Sequence, residues 1–183
     1  MTDRLTKTNW LDHGLKTLEK DGIHAVKADP MAKALSVSRG SFYWHFRDIA
    51  DFRAQLLTRW REKMTDRIIE DHPVADTGAD QLRRLIRRGF GTRQRLDHAV
   101  RAWGADDSEV ARLVAEVDAR RVRHIAELLR AAGVEKAPAM ARATFLYWAV
   151  LGQALVADPS ISSLDMSTID EIGGLLASPG LAT

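Results

Sequence analysis

Met31-Ala-Lys-Ala-Leu-Ser-Val-Ser-Arg-Gly-Ser-Phe-Tyr-Trp-His-Phe46 reads as two short helices joined by a tight turn. Met31, Ala32 and Leu35 give the first helix a narrow apolar stripe. Asp29-Pro30 supplies an N-cap followed by proline at the first helical position. Ser38 caps the second helix, and Val37 and Phe42 on either side of the cap are spaced as a hydrophobic staple. Phe42 and Phe46, four apart, face inward together and join Leu15 and Leu35 as core. Arg39, Gly40, Tyr43, Trp44 and His45 are left on the other faces, where burial gains a globular protein little. Two aromatics, an arginine and a histidine around one exposed helical face suit a surface that meets phosphates and base edges. The pattern is that of a helix-turn-helix whose second helix enters a major groove.

The flanks read as helical in both directions. Leu11, Leu15 and Leu18 mark an amphipathic first helix that Gly22 ends. Asp48 caps a long helix with Phe52, Leu56, Trp60, Met64 and Ile68 at strict four-residue spacing. His72-Pro73 and the Asp76-Thr77-Gly78 turn break it. The expected N-terminal domain is therefore residues 1–57, with the helix of about 48–70 leading into a second domain over 58–183.

In that second part, Leu82, Leu85, Ile86, Gly89 and Phe90 line one helix, and Leu96, Val100 and Trp103 the next. A longer helix from about Asp107 carries Val110, Leu113, Val114, Val117, Ile125, Leu128 and Leu129. Gly133 follows it as a C′ residue, and Val134 can close a Schellman contact. Pro138 opens a helix whose stripe reads Ala141, Thr144, Phe145, Trp148, Leu151, Gly152 and Leu155, up to Asp158-Pro159. A last helix carries Ile169, Ile172 and Leu176. Period-2 alternation is not sustained anywhere, so an all-α fold is expected, without a sheet.

Composition narrows the function classes. The chain has no cysteine, which removes disulfide scaffolds, cysteine-ligated zinc and thiol catalysis. No apolar run approaches the roughly 18–20 residues that span a bilayer. With no apolar leader at the start, a cytoplasmic protein is expected. Residues 1–70 hold 13 Lys/Arg against 10 Asp/Glu, whereas residues 105–183 hold seven against eleven. A mildly basic N-terminal part and an acidic C-terminal part fit a protein that meets nucleic acid with one end, although solvated helix faces explain the charges as well.

The six histidines are scattered without metal-ligand spacing, so no metal is expected. Nothing forms a Ser-His-Asp set, a carboxylate pair in a cleft or a Gly-rich phosphate loop, so neither catalysis nor a cofactor is expected. Arg83, Arg84, Arg87 and Arg88 cluster on one helix, as a solvated face or an anion site. Phe90, His98, Trp103, Tyr147 and Trp148, with Gln153 beside them, could line an apolar cavity between C-terminal helices. Plain core packing is the alternative for each aromatic.

From Trp10 to about Leu57 the chain resembles TetR-family transcriptional regulators. The order is the family's: a first helix, a glycine at its end, a small-residue second helix, a Val-Ser entry to the third and an aromatic-aromatic-x-Phe exit. Val37 to Phe46 follows the recognition-helix pattern almost throughout. The chain departs at Ser36, where the family usually has glycine, at Val26-Lys27, where a threonine commonly meets phosphate, and at Ile49, where a lysine is usual. A positive φ at Ser36 would cost on the order of 1 kcal/mol.

The resemblance implies an N-terminal three-helix DNA-binding domain and a C-terminal helical domain for ligand binding and dimerisation. The expected partners are a pseudo-palindromic double-stranded operator, a second copy of the chain and a largely hydrophobic small-molecule effector that releases the repressor. A constitutive dimeric regulator without an effector is the alternative. Ser38, Arg39, Gly40, Ser41 and Trp44 are the base-edge candidates, and Lys27, Tyr43, His45 and Arg47 the phosphate candidates. The helices over roughly 137–156 and 165–177 are the expected dimer contact.

Overall fold

The computed structural model describes residues 5–70, 76–92, 94–156, 158, 160–161 and 164–179, all of them in helices, turns or loops. The helices are α1 (Lys7–Asp21), α2 (Ala28–Ala34), α3 (Arg39–His45), α4 (Ile49–Arg61), α5 (Arg67–Glu70), α6 (Gly78–Gly91), α7 (Arg95–Ala105), α8 (Ser108–Ala131), α9 (Lys136–Gly152) and α10 (Met166–Ala177). Among the described residues there is no strand, and the fold is all-α. None of these helices is long and apolar enough to cross a membrane. The expected breaks at His72-Pro73 and at Pro159 lie outside the described residues.

The chain forms two compact units, residues 1–68 with 95–115, and residues 69–94 with 116–183. The expected 1–57 domain lies within the first, which also takes in α7 and the start of α8.

In the first unit, Thr6 and Asn9 close a capping box at the start of α1. Trp10, Gly14, Leu15 and Leu18 are its buried face. A Cβ on Gly14 would lie 2.6 Å from Phe52 Cζ, so the absent side chain is what lets α1 approach α4 here. Asp48 caps α4 by accepting from the Asp51 amide. Phe52, Leu56 and Trp60 are buried at four-residue spacing, as expected. The next buried position is Thr65, not Met64. A π-turn over Glu62–Asp66, in which the Arg67 amide reaches back to the Glu62 carbonyl, inserts one residue and shifts the inward face by one position.

Two details of the helix-turn-helix differ from expectation. Helix α2 starts at Ala28 with Lys27 as N-cap, which places Asp29 and Pro30 inside the first turn rather than at its boundary. Proline is tolerated there because the first four amides of a helix have no intrahelical acceptor. The Asp29 carboxylate is thereby left to another partner. Leu35 is half-buried and ends α2. Ser36 has φ 56°, in the left-handed region, so the turn carries the backbone strain that a non-glycine residue meets there.

In the second unit, Leu82 and Ile86 of α6, Ala126, Leu128 and Leu129 of α8, Ala139, Ala143 and Leu146 of α9 and Ile169 of α10 form one core. Thr77 caps α6 and Asp165 caps α10. Gly133, at φ 100°, ends α8, and Val134, buried, donates to the Leu129 carbonyl, completing the expected Schellman closure. Arg142 donates to the carbonyls of Leu176 and Ser178 at the end of α10. The large side chains of the apolar stripe on α9 face out, as a dimer contact there requires. Phe145 is 58% and Trp148 66% exposed, while Ala139, Ala143, Leu146 and Tyr147 are buried. Helix α9 is apolar on two sides, and its smaller side chains pack closer to the neighbouring helices.

Candidate nucleic-acid interface

Four aromatics hold α3 in place. Phe42 packs edge-on to Trp10, with ring centroids 5.4 Å apart, and lies 5.2 Å from Phe46 and 5.4 Å from Phe52. Phe46 meets Phe52 at 4.8 Å, nearly perpendicular. All four rings are buried. Edge-on and tilted rings add specific attraction to their area burial, so the short helix is fixed in rotation as well as in position.

That rotation turns the remaining side chains outward. Trp44 is 72% exposed and Tyr43 about half. Ser38, Arg39 and Gly40 are exposed, and Ser41 is half-buried. Ser38 stands at the N-cap without its hydroxyl bonding the helix. A Cβ on Gly40 would meet only Ser38 Oγ, at 3.7 Å, so no crowding within the chain requires glycine there.

Arg39 is the best-defined polar group on this face. Its Nε lies 3.1 Å from Asp29 Oδ1 on α2. Its Nη2 donates to the Tyr43 hydroxyl at 3.1 Å, with Cζ 5.4 Å from the Tyr43 ring centroid. The Tyr43 hydrogen bond and then the Asp29 charge hold the guanidinium above its ordinary range, so it is permanently cationic.

The candidates around α3 differ in freedom. Lys27 is an exposed N-cap. Arg47 is exposed, its amide donating to Asp51 Oδ2 at 3.0 Å. His45 is half-buried, and its Nε2 donates to the Leu5 carbonyl at 3.0 Å, tying the segment before α1 to the end of α3. The sequence reading passed over Asp29 in this setting, because an aspartate before a proline at a helix start has an obvious local use as a cap.

The six residues expected at an effector cavity are not gathered in one unit. His98 and Trp103 belong to the first, on α7; Phe90, Tyr147, Trp148 and Gln153 belong to the second. Trp103 is buried, Phe90 and His98 are half-buried, and Trp148 is exposed. Tyr147 is buried and donates to Asp118 Oδ1 at 2.6 Å, while Arg121 donates to the Tyr147 oxygen at 3.4 Å. Burial pushes the Tyr147 hydroxyl up to about 12. The Gln153 amide donates to the carbonyls of Gly89 and Val150. In the arginine cluster, Arg87 forms a fork with Asp170, with Nε 2.8 Å from Oδ1, and Arg84 pairs with Asp76. Among the described residues no group of His, Asp and Glu could hold a metal ion.

Residues 11–56 match the model of the family of bacterial regulatory proteins, tetR family. A curated relative, the HTH-type transcriptional regulator AcrR of Shigella flexneri, is 33% identical over 51 residues. That match covers 28% of this chain and 24% of the relative, so the chain shares only about a quarter of the relative's length. Two solved structures are similar in fold over most of their length. A transcriptional regulator of the TetR/AcrR family is 21% identical with a TM-score of 0.77, covering 92% of this chain and 96% of its own. A transcriptional regulator from Saccharomonospora viridis, in complex with choline, is 18% identical with a TM-score of 0.72, covering 90% and 91%. Residues 11–56 thus match the N-terminal module of the tetR family of bacterial regulatory proteins, and the chain shares the fold of these regulators along most of its length.

Proposed function

We propose that the protein is a homodimeric, sequence-specific DNA-binding repressor that a small-molecule effector releases from a pseudo-palindromic operator. The observation that carries this reading is the outward face of α3. An aromatic core fixes the helix, while Arg39, Tyr43 and Trp44 project away from it and Gly40 leaves the backbone open to close approach. Base edges are read by Ser38, Arg39, Gly40, Ser41 and Trp44, and phosphates are met by Lys27, Tyr43 and Arg47. His45 acts on phosphate through Nδ1 or by placing the segment it holds at Leu5.

Dimerisation uses α9 and α10. Phe145 and Trp148 on the first, and Met166, Ile172 and Leu175 on the second, are large apolar side chains left exposed in a single chain. Exposed apolar area of this kind marks an interface. A two-fold dimer presents α3 twice, which requires symmetric half-sites about one helical turn, or a small multiple, apart.

The effector reading is supported by the choline held in the regulator of similar fold. Release follows only if the ligand binds the DNA-incompatible state more tightly. A constitutive dimeric regulator is the second reading. It is favoured by Tyr147 and Gln153, whose polar groups already have partners within the unit. Enrichment of bound sequences from a randomised duplex pool tests DNA recognition. A steep fall in affinity with salt is expected, because phosphate contacts release counterions. A melting-temperature screen of apolar and cationic small molecules separates the two readings: a rise accompanied by loss of operator binding supports release.

A further inference from the structure

We infer that Asp29 and Tyr43 are positioning residues for Arg39, presenting one edge of its guanidinium to a guanine while Asp29 penalises misplaced contact with phosphate. This rests on the DNA-binding reading above and assigns a specificity role to a carboxylate on the DNA-facing surface.

An arginine fork has five N–H groups in a plane. Nε lies 3.1 Å from Asp29 Oδ1 in an ion pair, and one Nη2 hydrogen goes to the Tyr43 hydroxyl at 3.1 Å. Nη1 keeps both hydrogens and Nη2 keeps one, and one from each nitrogen makes an end-on pair. Two parallel donors of that spacing match O6 and N7 of guanine in the major groove, the commonest specific contact of arginine. The Tyr43 ring, with the guanidinium carbon 5.4 Å from its centroid, limits rotation of the plane. The Tyr43 hydroxyl accepts from Arg39 and still has its own hydrogen to donate to a phosphate.

Asp29 would be a poor choice if affinity alone mattered. Both members of the pair are exposed, so in the free protein it adds little to stability. When a duplex covers the surface, water leaves and each charge interaction strengthens. A carboxylate beside the phosphate backbone is then tolerated only while Arg39 stays paired with it. Arg39 is thus held back from the nearest phosphate and kept in register for a base. The position of Asp29 at the second residue of α2 makes this possible, since α2 and α3 are held by the same turn and the carboxylate is not used as the cap.

The test uses the full chain and a randomised duplex pool, comparing wild type with Arg39→Ala, Asp29→Asn, Asp29→Glu and Tyr43→Phe. Wild type is expected to enrich a symmetric site with guanine at one position of each half-site, and Arg39→Ala to lose that preference. Asp29→Asn should weaken it by about three- to tenfold, part of the roughly 5- to 150-fold that a bidentate base contact is worth. Its affinity for unselected duplex should stay equal or rise. Asp29→Glu should restore most of the preference, and Tyr43→Phe should weaken it less than Asp29→Asn. Unchanged circular dichroism and melting would exclude a folding defect. The inference is overturned if Asp29→Asn keeps the guanine preference within about twofold, or loses affinity equally for every sequence. Failure of wild type to enrich any sequence would instead remove the DNA-binding reading on which the inference stands.

Discussion

Trp60 donates its indole N–H to Asp97 Oδ1 at 2.7 Å, and both side chains are buried. The bond joins α4 to α7 inside the first unit, across 37 residues of sequence. A buried carboxylate is costly unless its oxygens are hydrogen-bonded, so this pairing is a condition of the packing. Trp60→Phe removes the donor and leaves a void. It should lower unfolding free energy by about 2–4 kcal/mol, read from the midpoint of denaturant unfolding. Asp97→Asn keeps an acceptor and should cost less. A loss in Asp97→Asn as large as in Trp60→Phe would show that the carboxylate's charge, not only an accepting oxygen, is what the buried indole requires.

Asp12 and Arg59 tie α1 to α4 with Nε–Oδ1 and Nη2–Oδ2 distances of 3.2 Å each. Partial burial would raise the Asp12 carboxyl, but hydrogen bonding and charge from Arg59, with Lys63 and Lys16, outweigh it and hold the group below the usual carboxylate range. The native state therefore binds the proton less readily than the unfolded chain. The stability from this pair is complete above the unfolded pKa and is lost as pH falls through the lowered native one. Asp12→Asn should cost about 0.5–1 kcal/mol at neutral pH, and the difference from wild type should vanish in acid. A difference that persists into strong acid would count against the ion pair.

Tyr147 should be visible in alkaline titration. Burial, aided by the hydrogen bond to Asp118 and opposed by the Arg121 charge, pushes its hydroxyl up to about 12. The folded chain keeps this phenol neutral while the unfolded chain ionises near 10. Stability is thus unaffected below the unfolded pKa and declines from there until pH passes the native value, by on the order of 2 kcal/mol. Near-ultraviolet tyrosinate absorbance should show a late-ionising step that Tyr147→Phe abolishes. Retention of that step in the variant would reassign it.

The α9 face gives a test of assembly. Phe145→Glu with Trp148→Glu places charge on side chains that are 58% and 66% exposed. Surface substitutions of this kind leave a single chain nearly as stable, typically within about 0.5 kcal/mol. Sedimentation should nonetheless shift from dimer to monomer, and operator affinity should fall with it. A double variant that sediments as wild type would place the interface elsewhere.

Much of this architecture is legible locally. The helix start at Asp48, the Gly133-Val134 closure, the left-handed turn residue Ser36 and the inward pair Phe42 and Phe46 all follow from interactions within five residues. The candidate interface was legible for the same reason: once Phe42 and Phe46 face inward, helical geometry leaves Arg39, Tyr43 and Trp44 outside. Three features were not legible in this way. Thr65 replaces Met64 on the inner face because a π-turn shifts the register. Helix α9 buries Ala143 and Leu146 rather than Phe145 and Trp148, a choice between two apolar faces that periodicity leaves open. Asp29 pairs with Arg39, and Asp97 with Trp60, although each aspartate taken alone reads as a helix-start or surface residue. Caps and periods are set by the chain's own neighbours within a turn or two. Which apolar face is buried, and which distant donor a carboxylate receives, depend on how whole helices fit together.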